Sequence, residues 1–179
     1  MGDPTDDPLH EPPPRERADR IEFVDAARAA EAVGILREAA QWLIDRGLGH
    51  WSVDEFNRAD FVAHAQAGEL VIGFEDESAA AVMLLQSSDS LYWPMEPADA
   101  ALYIHKLAVR RASAGRRWSH RMIEWAARQA RTRGVAHLRL DTIPKSVLQS
   151  LYEQEGFVSV DRYPIRVGST VVIRMERRV

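Results

Sequence analysis

The sequence predicts an α/β fold in which helices pack on one mixed sheet. Three observations point there. Short apolar runs of strand length, at residues 70–74, 80–85 and 102–109, cluster in the middle of the chain. Segments with apolar residues at helical spacing, at 29–44 and 115–133, lie on either side of them. A glycine follows each helical segment (Gly47, Gly68, Gly134, Gly156), where a left-handed residue ends a helix.

In chain order, residues 1–20 hold five of the nine prolines and almost no large apolar side chain, so they read as a flexible, acidic, proline-rich tail. Residues 21–24 read as a strand. Asp25 then caps a helix whose apolar positions Ala29, Val33, Leu36, Ala40, Leu43 and Ile44 recur at about 3.6-residue spacing, and Gly47 stops it. A second helix follows Asp54, through Phe56, Phe61 and Val62 to Ala65. The strands at 70–74 and 80–85 flank the polar hairpin loop Glu75-Asp76-Glu77-Ser78. Pro94, Pro97 and several polar residues make 87–100 a loop, and 102–109 is a strand. The long helix from about 115 to 133 places Met122, Ile123, Ala126 and Ala130 on one face, with Trp118 and Trp125 packing beside them. Residues 135–140 are a strand. A helix after Pro144 carries Val147, Leu148 and Leu151, and closing strands fall at 157–160 and 170–175.

Composition narrows the function. The chain has 179 residues, 46% hydrophobic and 28% charged, with net charge −4, a poor match overall for a nucleic-acid backbone. It has no cysteine, which removes thiolate zinc sites, disulfides and cysteine nucleophiles together. The histidines show no ligand spacing, so no metal is expected. No apolar run approaches the roughly 20 residues that span a bilayer, and the N-terminal stretch has no signal-peptide pattern. A cytoplasmic protein without membrane partners is expected.

Local basic charge is concentrated at Arg110, Arg111, Arg116, Arg117 and Arg121. Here strand residues Leu107, Ala108 and Val109 lead through a turn of small residues (Ala112, Ser113, Ala114, Gly115) into a helix start at Arg116, Arg117, Trp118, Ser119 and His120. The first amides of a helix have no intrahelical acceptor and lie at the positive end of its dipole, which suits phosphate. The stretch therefore reads either as a site for a phosphate-bearing ligand or as an ordinary strand–turn–helix with a solvated basic face.

This stretch resembles the acetyl-CoA-binding motif of the GCN5-related N-acetyltransferases, in which a strand leads into Arg/Gln-x-x-Gly-x-Gly/Ala. Gly115 matches the first glycine, Arg117 stands where the second usually is, Ser119 takes the small third position, and Ala114 fills a slot often held by Arg or Gln. Residues 141–157, with Tyr152-Glu153-Gln154-Glu155-Gly156-Phe157, resemble the later strand–helix–Tyr-x-x-x-Gly-Phe motif; Lys145 or Ser146 sits where relatives often place asparagine. The resemblance implies one N-acetyltransferase domain over 21–179, built on a central mixed, mostly antiparallel sheet of about six to seven strands flanked by about four helices. It implies acetyl-CoA as donor, bound by Leu107, Ala108, Val109, Ala114, Gly115, Arg116, Arg117, Trp118, Ser119, His120 and Lys145, and direct attack by a primary amine of a small molecule or peptide. A homodimer through edge strands is also implied. The alternative is a non-catalytic acyl-CoA-binding module, a sensor or regulatory subunit.

Direct transfer sets three demands. An alkylamine of pKa near 10.4 is only about one part in 10³ neutral at pH 7, so a base must take its proton. Strand alternation puts His105 on the face of Tyr103 and Leu107, and a histidine titrates in the right range; a water chain or Glu96 are the other candidates. A backbone N–H of strand 107–109 would hold the oxyanion. Tyr152, by the resemblance near the sulfur, would protonate the thiolate. Trp51, Tyr92 and Trp93 would border the acceptor cleft, and the acidic chain favours a cationic acceptor.

Overall fold

The computed structural model describes residues 19–49, 51–144 and 146–179. Strand β1 (Arg20–Phe23) leads into helix α1 (Ala29–Ile44), and α2 (Arg58–Gln66) precedes the hairpin of β2 (Leu70–Glu75) and β3 (Ser78–Gln86). Strand β4 (Leu102–Val109) runs into α3 (Trp118–Thr132), then β5 (His137–Thr142), α4 (Val147–Gln154) and β6 (Val158–Ser159). Strands β7 (Ile165–Val167) and β8 (Thr170–Arg178) close the chain. The sheet order is β1-β2-β3-β4-β5-β8-β6, with β7 paired to β8. Every pairing is antiparallel except β4 with β5.

The strands are sandwiched. On one face Val71, Met83, Leu85, Ile104, Leu138 and Met175 pack against Trp118, Met122, Ile123 and Ala126 of α3. On the other, Leu70, Ile72, Phe74 and Val82 meet Ala32, Leu36 and Ala40 of α1 and Phe61 of α2. Burial on both faces explains why β2 and β3 read as continuous apolar runs rather than alternating ones. Among the described residues, no helix is long and apolar enough to cross a membrane.

Several boundaries differ from the sequence expectation, each for a local reason. The Asp25 carboxylate accepts from the Ala27 N–H and caps a short 3-10 turn at Ala26–Arg28, so α1 starts at Ala29. Residues Val53–Glu55 form a separate turn closed by a Ser52–Glu55 capping box, and Asn57 caps α2 through the Asp60 N–H. Helix α3 begins at Trp118 rather than near 115, because Gly115 and Arg117 both take left-handed backbone, with φ of 80° and 58°. The described residues form eight strands, one more than the upper expectation; β7 has three residues, too few for alternation to show. The proline-rich tail lies outside the described residues, apart from Asp19 and Arg20.

Candidate active site

The parallel strands β4 and β5 pair only at Leu102 with Leu138 and Tyr103 with Arg139. Beyond that point β4 stays on β3 as far as Val109, while β5 stays on β8 as far as Thr142. Each strand keeps its outer partner and loses the inner one, and the sheet opens. A cavity of about 250 Å³ fills this opening, lined by His105 and Leu107 of β4, Asp141 of β5, and Leu148 and Tyr152 of α4.

A β-bulge shapes its wall. The register between β3 and β4 shifts by one residue between Val82 and Leu84, and Lys106 takes φ of 52°. The extra residue inverts the alternation. Before it, Leu102 and Ile104 face α3; after it, Leu107 and Val109 do, and Ala108 turns to the α1 core. His105 and Leu107 therefore do not share a face, as two-fold alternation predicts, yet both reach the cavity because it lies in the gap of the sheet itself. The Arg110 N–H donates to the Ala80 carbonyl at 2.8 Å, so alternation points the Val109 N–H away from β3, into the open side.

The turn after β4 leads to free backbone donors at the start of α3. Residues Ala114, Gly115, Arg116 and Arg117 are exposed. Among the described residues no side chain caps α3, and its first turn carries no acidic residue, so the amides of Trp118, Ser119 and His120 keep their donors for an anion. The Trp118 side chain is buried against the sheet, and so its contribution to a ligand is its backbone. Arg116 pairs with Glu75, which also accepts from the buried Ser113 hydroxyl at 3.1 Å. His120 is held by Glu155 at 2.8 Å, tying α3 to the end of α4. Lys145 lies outside the described residues.

His105 and Tyr152 meet in the cavity, and two carboxylates that sequence reasoning missed join them. His105 Nε2 lies 3.3 Å from Asp89 Oδ2, and Nδ1 lies 3.6 Å from Asp141 Oδ1. Burial pushes the Asp141 carboxyl above its usual range, against the pull of His105. The Asp89 carboxyl moves the other way: burial opposes its ionisation, but His105 and the N–H groups of Tyr92 and Leu91 hold it below. Burial, with Asp141 nearby, pushes the Tyr152 phenol well above its ordinary value of about 10. Tyr152 thus stays protonated and is a hydrogen-bond donor rather than a ready acid. Side chains of this type ligate divalent ions. Here one ligand atom from each of Asp89, His105 and Asp141 lies within 4.8 Å of the others.

The acceptor-side expectations divide. Tyr92 and Trp51 line the cavity. Trp93 does not: it is buried, with the guanidinium of Arg139 4.4 Å from its ring centroid and that of Arg174 at 4.9 Å. It anchors the 87–100 loop, helped by Arg174 donating to the Tyr92 carbonyl at 3.2 Å. Glu96 is removed as a candidate base, because Arg139 binds it at 3.0 Å away from the cavity lining.

A mixed sheet split between its parallel strands, with a bulged strand running into an uncapped helix, defines an acetyltransferase-type fold. No family model matches the sequence. The chain is 29% identical over 136 residues to the uncharacterized N-acetyltransferase YesJ of Bacillus subtilis, a match spanning 72% of this chain and 76% of the relative. Its structure is similar to that of a GNAT-family acetyltransferase from Listeria monocytogenes, with TM-score 0.74 at 19% identity over 90% of this chain and 95% of that one. It is also similar to the PaiA N-acetyltransferase of Thermoplasma acidophilum in complex with coenzyme A, with TM-score 0.70 at 14% identity over 90% and 99%. The chain therefore has the fold of GNAT-family acetyltransferases and is similar in sequence to an N-acetyltransferase.

Proposed function

We propose that this protein moves an acetyl group from acetyl-CoA to a primary amine of a small molecule or peptide by direct attack. The observation that carries the reading is the opening between β4 and β5, which brings His105 and Tyr152 into one cavity on the strand that feeds the uncapped start of α3. The donor fits that frame: the exposed backbone of 114–117 and the free amides of 118–120 suit a pyrophosphate, with Lys145 nearby in sequence. When bound, it supplies a thioester carbonyl activated toward attack. The Val109 N–H, facing the opening, donates to the carbonyl oxygen as charge builds there. His105 takes the amine's proton. Tyr152, held protonated, donates a hydrogen bond to the leaving sulfur. The absence of cysteine accords with attack that needs no acyl-enzyme.

The same reading has the protein in the cytoplasm, where a chain without cysteine is at home, and as a homodimer through its edge. The two-residue edge strand β6 leaves Val158 exposed, and Val160 and Tyr163 beside it are exposed too. Sedimentation velocity checks the dimer.

Activity is tested by incubating the protein with acetyl-CoA and a panel of primary amines, following free thiol and the mass of the N-acetyl product. Amine-dependent thiol release with the matching product mass is expected. Thiol release no faster than in the amine-free control, across the panel, would overturn the proposal.

A further inference from the structure

His105 carries a carboxylate at each ring nitrogen, and base catalysis by the imidazole alone explains neither. Asp89 belongs to the loop after β3. Its Oδ1 accepts the backbone N–H groups of Leu91 and Tyr92 at 3.1 and 3.0 Å, which fixes the carboxylate. Its Oδ2 is buried, has no well-formed hydrogen bond among the described residues, and points at Nε2 from 3.3 Å. An acceptor oxygen left unsatisfied in the interior is costly, and an N–H on Nε2 is the nearby donor that relieves it. That choice sets the tautomer: Nε2 carries the hydrogen and Nδ1 keeps the lone pair. Nδ1 faces Asp141, and 3.6 Å is too long for a direct hydrogen bond. Asp141 lines the cavity together with Tyr92 and Trp51.

We infer that the acceptor enters as an alkylammonium ion, docks on Asp141, and gives a proton to Nδ1 of His105, which Asp89 holds from behind. This deepens the acetyl-transfer reading and rests on it. The charges around the ring favour it. From β4, Lys106 pairs with Glu55 at 3.0 Å. Tyr152 approaches from α4 and is neutral, and Tyr92 from the loop is pushed up by burial and by Asp141. Asp89 and Asp141 remain, answered by the imidazole and, at Asp141, in part by Lys106. A cation beside Asp141 repays its burial by supplying the missing counter-charge. The protons balance. One leaves the ammonium for Nδ1, the nitrogen–carbon bond forms as the carbon–sulfur bond breaks, and the second nitrogen proton ends on the thiolate at the Tyr152 hydroxyl. Asp141 is the binding carboxylate; Asp89 is a positioning residue.

The test uses butylamine and 2-phenylethylamine against their uncharged counterparts butan-1-ol and 2-phenylethanol. Each is titrated by calorimetry near pH 7 into the wild-type protein, Asp141→Asn and Asp89→Asn, where the amines are cations. At least one amine should bind the wild type about tenfold more tightly than its alcohol, a difference of about 1.4 kcal/mol. Asp141→Asn should erase that preference. Asp89→Asn should keep amine affinity within about twofold while lowering kcat by about 100-fold and shifting the pH profile of kcat/KM, since it disturbs the base and not the docking site. Equal binding of amine and alcohol, no binding of either amine, or an unchanged preference in Asp141→Asn would overturn the inference. The wild-type comparison decides even where a variant fails to fold. Acetyl-CoA is titrated in parallel: its failure to bind would count against acetyl transfer, separately from the amine result.

Discussion

Gly73 couples the stability of the sheet to the position of the proposed donor site. A Cβ at this position in β2 would lie 2.5 Å from Trp118 Cζ3, 2.9 Å from Cε3 and 3.0 Å from Met122 Sδ. Carbon contacts are comfortable at about 3.5–4.0 Å, so the methyl of Gly73→Ala must push α3 away by about 1 Å. Trp118 cannot swing aside, being buried with the Arg121 guanidinium 3.9 Å from its ring centroid. Overpacking of this kind costs about 1–3 kcal/mol. At about 2–4 °C per kcal/mol for a chain of this size, Tm should fall by about 2–12 °C. Trp118 is also the first residue of α3, so the free amides move with it, and acetyl-CoA affinity should drop by about tenfold. The same substitution at Gly34 should act in the opposite sense. That glycine is exposed in the middle of α1 with nothing within 4 Å of its would-be Cβ, and alanine there stabilises by about 0.5–1 kcal/mol. Differential scanning calorimetry with acetyl-CoA titration reads both variants. A Gly73→Ala protein that melts no lower than wild type and binds equally well would refute the reasoning.

Three further outcomes follow from the site. Ser146 caps α4 through the Gln149 N–H at 3.1 Å and donates to the Ile143 carbonyl at 2.8 Å; Ser146→Ala should cost about 0.5–2 kcal/mol in denaturant unfolding and lower kcat, because α4 carries Tyr152. Tyr152→Phe should lower kcat by at least about tenfold while leaving the KM for acetyl-CoA within about twofold, measured by steady-state kinetics. Asp161 has its carboxyl held below the usual range, burial opposing and Arg174 prevailing with contacts of 2.7 and 3.1 Å. A depressed carboxyl contributes stability above its unfolded pKa of about 3.9 and loses it as pH falls through the folded value. Asp161→Asn should therefore lower Tm at neutral pH and flatten its decline below about pH 4, read by thermal melts across pH.

Much of the frame was legible in residues. Gly47, Gly68, Gly134 and Gly156 end helices with φ between 65° and 84°, as glycines after helical periodicity should. Strand β4 has the bounds that its apolar run implies, and the polar hairpin turns at Asp76, with φ of 54°. What stayed hidden depends on contacts between distant parts of the chain. A lysine in left-handed backbone has no sequence signature, so the bulge at Lys106, and the change of face at Leu107, could not be read from alternation. Trp93 looked like a cleft aromatic because nothing local reveals that Arg139 and Arg174 enclose it. Asp141 stood in the later motif and Asp89 in a loop with an Asx-type turn to Leu91 and Tyr92. Each was visible as a local feature, but only the sheet opening brings both to His105.

The central claim is that the opening between β4 and β5, continued by the start of α3, is an acetyl-CoA site. Calorimetric titration of acetyl-CoA into the wild-type protein and into Gly115→Trp tests it most directly, with far-ultraviolet circular dichroism to establish that the variant is folded. Gly115 is exposed in the turn and has nothing within 4 Å of its would-be Cβ, so an indole there meets no core atom; it obstructs ligand approach and, at φ of 80°, also strains the turn. Saturable one-site binding to the wild type, lost in the folded variant, is the predicted result. Absence of binding to the wild-type protein, or equal affinity in the folded variant, would contradict it.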